Sequence, residues 1–185
     1  VLNISKHVSI KLINIRFFLT CMEEFKEVDQ KSYVKTLKWI VNVLKRKRIQ
    51  FNILGGLAAY AHGSKRMLVD IDLSMKNEDF QKLLPEVKEY VVEPPHVSKS
   101  ENWECYYMEL EKDGITIEIG GDKGCKFLDS KTGQWQTLGD ELSKSTIKKI
   151  FGLELPIISK KELVEYKRKL MRDVDKIDLK NLGKV

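Results

Sequence analysis

Two aspartates one residue apart, Asp70 and Asp72, interrupt the apolar run Leu68-Val69-Asp70-Ile71-Asp72-Leu73, and they restrict the fold more than any other feature. Side chains alternate faces along a strand, so both carboxylates share one face while Val69, Ile71 and Leu73 enter a core. The two acids then lie about 7 Å apart on one edge and repel each other unless a cation sits between them. Oxygen donors of this kind suit a hard divalent ion, Mg²⁺ or Mn²⁺. Upstream, the apolar stretch Phe51-Asn52-Ile53-Leu54 runs into Gly55-Gly56. A glycine pair permits a sharp turn and close approach of backbone to a ligand. The short apolar segment behind it reads as a helix whose first amides face phosphate.

Taken in order, Leu54-Gly55-Gly56, His62-Gly63-Ser64-Lys65-Arg66 and Asp70-Ile71-Asp72-Leu73 resemble the nucleotidyltransferase superfamily of DNA polymerase β and the minimal nucleotidyltransferases. Within it they resemble most the AbiEii toxin-like branch. A bare Asp-x-Asp also occurs on surface strands and in glycosyltransferases, so the ordered string carries the resemblance. The resemblance implies an α+β fold, a small mixed β-sheet flanked by helices with C-terminal helices. It implies an enzyme that transfers a nucleoside monophosphate from a nucleoside triphosphate to a hydroxyl. Asp70 and Asp72 are then the metal-holding acids, and Gly55, Gly56, Gly63, Ser64 and Arg66 contact nucleotide. The acceptors it implies are RNA 3′ ends, protein hydroxyls and small aminoglycosides, with the toxin-like branch and the basic net charge leaning toward tRNA or another RNA, and a cognate antitoxin protein as partner. A catalytically inactive nucleotide-binding or antitoxin-type protein is the alternative, and a glycosyltransferase a more distant one.

The third acid expected of such a site must come from a neighbouring strand. Trp103–Lys112 and Ile115–Ile119 read as a hairpin across Asp113-Gly114, a pair suited to positive φ. In the second arm Ile115, Ile117 and Ile119 share one face, and Thr116 and Glu118 the other. Read from residues alone, Glu118 is an edge-strand surface residue or a carboxylate in need of a partner. The resemblance selects Glu118 as the third catalytic and metal-binding acid, with Glu109 second. Near the C-terminus, Ser159-Lys160-Lys161-Glu162 has capping-box spacing. The helix behind it places Leu163, Lys167, Leu170, Val174 and Ile177 on one stripe. Lys167 is a lysine stem laid along the core, or, by the resemblance, a phosphate contact followed by Arg172-Asp173-Val174-Asp175.

Other segments place the frame. Ser32–Arg48 carries a helical stripe of Tyr33, Leu37, Ile40 and Leu44 and ends in basic residues, which suit the negative pole of a helix. Asn77 reads as the N-cap of a helix containing Pro85. Glu93-Pro94-Pro95-His96 reads as a break, Gly120–Gly124 as a loop, and Leu153–Ile158 as a last short strand. Residues 122–150 carry no legible role. Residues 1–21 are expected to be a peripheral extension, and 22–185 the nucleotidyltransferase-like domain, including a helical segment at 159–182. The net charge of +6 fits an anionic partner, either nucleotide or RNA. No apolar run approaches the ~20 residues of a membrane span, so no membrane partner is expected. Cys21, Cys105 and Cys125 are odd in number and widely spaced, which predicts no disulfide and a cytoplasmic setting.

Overall fold

The computed structural model describes residues 29–138 and 142–183; the expected extension at 1–21 and Cys21 lie outside them. Helix α1, Gln30–Arg46, starts at Asp29, whose carboxylate accepts from the amides of Lys31 and Ser32. It ends with Lys45 and Arg46 in its last turn. Its apolar stripe is buried: Leu37, Ile40 and Leu44 have no exposure, and Tyr33 has 1%. Strand β1, Phe51–Ile53, leads into helix α2, Gly55–Ala61. Strand β2, Asp70–Met75, carries the two aspartates. A 3-10 turn at Asn77–Asp79 then precedes helix α3, Phe80–Val87, which tolerates Pro85.

Strands β3 (Val91–Lys99), β4 (Trp103–Lys112) and β5 (Ile115–Gly121) follow. The β4–β5 hairpin turns at Asp113-Gly114 with φ of +53° and +76°, as the residue pair predicts. Contrary to the expected break, Glu93-Pro94-Pro95-His96 lies inside β3, which pairs with β4 through two register shifts. β3 pairs with β4 alone, and an edge position with an irregular ladder is where a strand accommodates proline. Short strands β6 (Lys126–Leu128), β7 (Trp135–Thr137) and β8 (Ser145–Ile150) occupy much of the segment that sequence leaves unassigned, and β9 spans Leu153–Ile158.

All nine strands join one mixed sheet in the order β7-β6-β4-β5-β2-β1-β9-β8, with β3 on the other edge of β4. The neighbours of β2 decide the site: β1 lies antiparallel on one side and β5 parallel on the other. Ile71, Leu73, Ile117 and Ile119 are buried on the sheet's inner face and form part of a core that runs from Tyr33 to Leu182. The Tyr33 hydroxyl donates to the main-chain oxygen of Asp70 at 2.9 Å, which ties α1 to the strand that carries the two aspartates.

Two expectations need correction. Cys105 and Cys125 form a disulfide. Their spacing along the chain hides their proximity in the sheet, because β6 folds back to pair Phe127 with Trp103 and Lys126 with Glu104 at the start of β4. The cysteine argument for a reducing compartment therefore falls. Among the described residues, no helix is long and apolar enough to cross a membrane. The C-terminal segment is also not one helix. It divides into α4, Lys160–Leu170, and α5, Asp173–Leu182, at Met171, whose φ of +53° ends α4 in a left-handed cap. The break lets α5 fold back so that Asp175 and Asp178 meet Lys167 at 2.8 and 3.0 Å, with all three side chains at 1% exposure or less.

Removing one member of a buried ion cluster leaves uncompensated charge. Lys167→Met is expected to lower unfolding free energy by about 3–5 kcal/mol, read from urea denaturation at pH 7. A loss below about 1 kcal/mol would show that the cluster is not closed as described.

Candidate active site

The site is assembled by strand register. Asp72 is paired with Glu118, Asp70 with Thr116, and Glu118 in turn with Glu109. Glu109 is paired with Glu93 on β3. Residues paired in register point to the same face, and neighbouring strands are about 4.8 Å apart. Four carboxylates therefore form a row across the sheet, Asp72–Glu118–Glu109–Glu93, with Asp70 one step along β2. Glu109 accepts a hydrogen bond from Tyr107 at 2.9 Å.

The glycine turn closes over Asp72. The Gly56 amide donates to Asp72 Oδ2 at 3.2 Å, and the Gly55 amide donates to the Tyr166 hydroxyl at 3.2 Å. Gly55 has φ +52°, and a Cβ placed on it would stand 1.6 Å from Asp72 Oδ2. Only glycine fits this position. The expected bend is thus in direct contact with Asp72.

A cavity of about 420 Å³ opens beside this contact. Gly55, Asp72, Glu93, Tyr107, Glu118, Tyr166 and Arg172 are among the residues that line it. Burial raises the Asp72 carboxyl to about 6, with the Asp70 charge adding to the rise and the Gly56 hydrogen bond opposing it. Burial likewise raises Glu118 to about 7, with Asp72 and then Asp70 adding to it. Crowded carboxylates that hold protons this tightly are what an oxygen-liganded cation would relieve. Among the described residues, no three His, Cys, Asp or Glu side chains form a ready-made cation cage.

The remaining sequence-selected residues are dispersed. Gly63 (φ +111°) follows α2 with open space around it. Ser64 is 3% exposed and donates to Asp178 at 2.7 Å. Arg66 Nε approaches the same carboxylate at 3.4 Å, while its guanidinium lies close to Gly56. Lys167 sits beneath the cavity wall in its ion cluster rather than on its surface. His62 caps α2, and its Nε2 lies 2.8 Å from the Ile158 carbonyl. Sequence reasoning missed Arg172, Tyr166, Tyr107 and Glu93 as cavity residues. Arg172 lies in the segment Arg172-Asp173-Val174-Asp175 that the resemblance picked out, but the helical stripe drew attention to Lys167 instead.

Residues 36–182 match the model of a protein family described as aminoglycoside-2''-adenylyltransferase. A search of curated protein sequences finds no match. Among solved structures, a Thermotoga maritima protein assigned to the nucleotidyltransferases is similar at 24% identity and a TM-score of 0.66, over 82% of this chain and 91% of that one. The lincosamide antibiotic adenylyltransferase LnuA, solved with lincomycin, is similar at 17% identity and a TM-score of 0.55, over 85% and 98%. The antibiotic-resistance factor ANT(2'')-Ia follows at 14% identity and a TM-score of 0.54, over 84% and 86%. At these identities the structural likeness speaks for the fold, which is the nucleotidyltransferase fold expected from sequence. The AbiEii-like branch finds no support among them.

The raised carboxyls have a consequence for stability. The folded chain holds the Glu118 proton more tightly than the unfolded chain, so this contribution is complete below pH 4.5 and is lost as pH rises through about 7. In chelator-treated protein, Glu118→Gln is therefore expected to gain stability relative to the parent across that window. The gain should approach about 3 kcal/mol by pH 8, measured by urea denaturation. A difference that stays flat from pH 4 to pH 8 would contradict the assignment.

Proposed function

This chain belongs to the aminoglycoside-2''-adenylyltransferase family, and we propose that it transfers AMP from ATP to a hydroxyl of a small, positively charged acceptor. The observation that carries this reading is the contact between the glycine turn and Asp72 at the mouth of an acidic cavity. The Gly55 and Gly56 amides are engaged by Tyr166 and Asp72, and the Arg66 guanidinium beside Gly56 brings positive charge to the turn. Ser64 and Lys167 share Asp178 with Arg66 in one buried network. Asp70 and Asp72 would hold Mg²⁺ or Mn²⁺ with Glu118 beside them, and the bound ion would supply charge neutralisation on the phosphate oxygens.

The acceptor oxygen attacks the α-phosphorus, the bond from that phosphorus to the bridging oxygen breaks, and pyrophosphate leaves with the electron pair. The hydroxyl proton passes to Glu118, which faces the same cavity as Asp72. Binding the two reactants side by side there supplies much of the rate by orientation.

The sign of charge in the cavity favours a cationic acceptor over RNA. The whole chain carries +6, yet Asp72, Glu118 and Glu93 line the cavity, and a polyanionic strand entering it would meet like charge. Its volume also suits a small molecule.

Purified protein incubated with α-labelled ATP, Mg²⁺ and, separately, an aminoglycoside, lincomycin or total RNA tests the reading. Label is expected on the aminoglycoside, and Asp72→Asn is expected to lower the rate by roughly 10²-fold or more with its circular-dichroism spectrum unchanged. Label on RNA would replace the acceptor assignment. Nucleotide binding without transfer to any of them would favour the inactive binding protein, and unchanged transfer in Asp72→Asn would refute the site.

A further inference from the structure

Among the described residues that line the cavity, Arg172 is the only cation, set among Asp72, Glu93 and Glu118. It stands at the N-cap of α5, placed there by the left-handed break at Met171. Asp175 holds its fork from behind. Nε bonds Oδ2 at 2.8 Å, Nη2 bonds Oδ1 at 3.2 Å, and the Arg172 amide adds a third contact to Oδ2 at 3.1 Å. Asp175 is itself fully buried and shared with Lys167, so the fork has a rigid support. Among the described residues, Nη1 has no hydrogen-bond partner, and the side chain is 43% exposed. One edge of the guanidinium is fixed by Asp175, and Arg172 lines the cavity. Its charge opposes the rise in the Asp72 and Glu118 carboxyls.

We infer that Arg172 is a phosphate-binding residue of the active site, donating from Nη1 to the β- and γ-phosphates of the nucleotide and to the pyrophosphate as it leaves. The inference rests on the nucleotidyl-transfer reading and adds to it the residue that admits a polyanion into an acidic cavity. Two physical facts support it. A triphosphate brought to a wall of three carboxylates needs positive charge beyond that of one divalent ion. A planar fork with one edge anchored is also pre-organised for phosphate in a way that a lysine is not. Charge grows on the bridging oxygen as its bond to the α-phosphorus breaks, and a donor aimed there stabilises the transition state more than the ground state. Asp175 acts as a positioning residue, because it touches the guanidinium and lies away from the cavity surface.

Calorimetric titration with Mg²⁺·α,β-methylene-ATP and, separately, with AMP tests the inference. Wild type is expected to bind the triphosphate analogue more tightly than AMP. Arg172→Gln is expected to lose roughly tenfold or more in affinity for the analogue with AMP affinity unchanged. Arg172→Lys, which keeps the charge, should lie between them, and Asp175→Asn should lower the ratio of analogue to AMP affinity in the same direction, a change that a merely structural role would not produce. Equal loss for both ligands, or no loss for either, in a folded Arg172→Gln or Arg172→Lys protein overturns the inference and leaves nucleotidyl transfer standing. A wild-type protein that binds neither ligand overturns the functional reading, and this inference with it.

Discussion

The structure turns on one hydrogen bond between a strand and a turn: the Gly56 amide donating to the Asp72 carboxylate. It exists because Gly55 takes a positive φ and carries no Cβ where one would collide with Asp72. With that bond in place, α2 begins directly against the acidic face of β2, and the same carboxylate belongs both to the turn and to the acidic row. A methyl group at Gly55 would push the turn away from the strand, and cavity, acids and helix start would cease to be one site.

The acidic row depends on topology as much as on residue type. β2 and β5 lie parallel in the sheet, with Asp72 opposite Glu118, and the hairpin back to β4 sets Glu109 opposite Glu118. Charge is concentrated here at a cost, visible in the raised Asp72 and Glu118 carboxyls. The C-terminal helices answer it with cations held at two depths. Lys167 lies buried between Asp175 and Asp178, and Arg172 reaches the cavity from the same cluster. Asp178 also joins Ser64 and Arg66, so the loop after α2 and the C-terminal helices share one buried network.

Local chemistry was readable wherever it was written in adjacent residues. The Asp-Ile-Asp alternation, the Gly-Gly turn, the Asp113-Gly114 hairpin and the Ser159 cap each specify a local geometry, and each appears as expected. What sequence hid was long-range proximity. Cys105 and Cys125 looked unrelated until β6 returned to the start of β4. The C-terminal stripe looked continuous because nothing in Met171-Arg172 announces a left-handed residue; the break there moved Lys167 into an ion cluster and brought Arg172 to the cavity. The net charge of +6 is a property of the whole surface and does not report the charge of the cavity, where Asp72, Glu93 and Glu118 stand beside Arg172.

The central claim is that the acidic pair and the glycine turn bind a divalent ion and a nucleotide together, each completing the other's site. Electron paramagnetic resonance of Mn²⁺, titrated into the protein with and without ATP, tests it most directly. The account predicts weak Mn²⁺ binding alone, much tighter binding when ATP is present than either protein or ATP achieves separately, and loss of that synergy in Asp70→Asn. Mn²⁺ affinity indifferent to ATP in the wild type, or synergy that survives in Asp70→Asn, would contradict it.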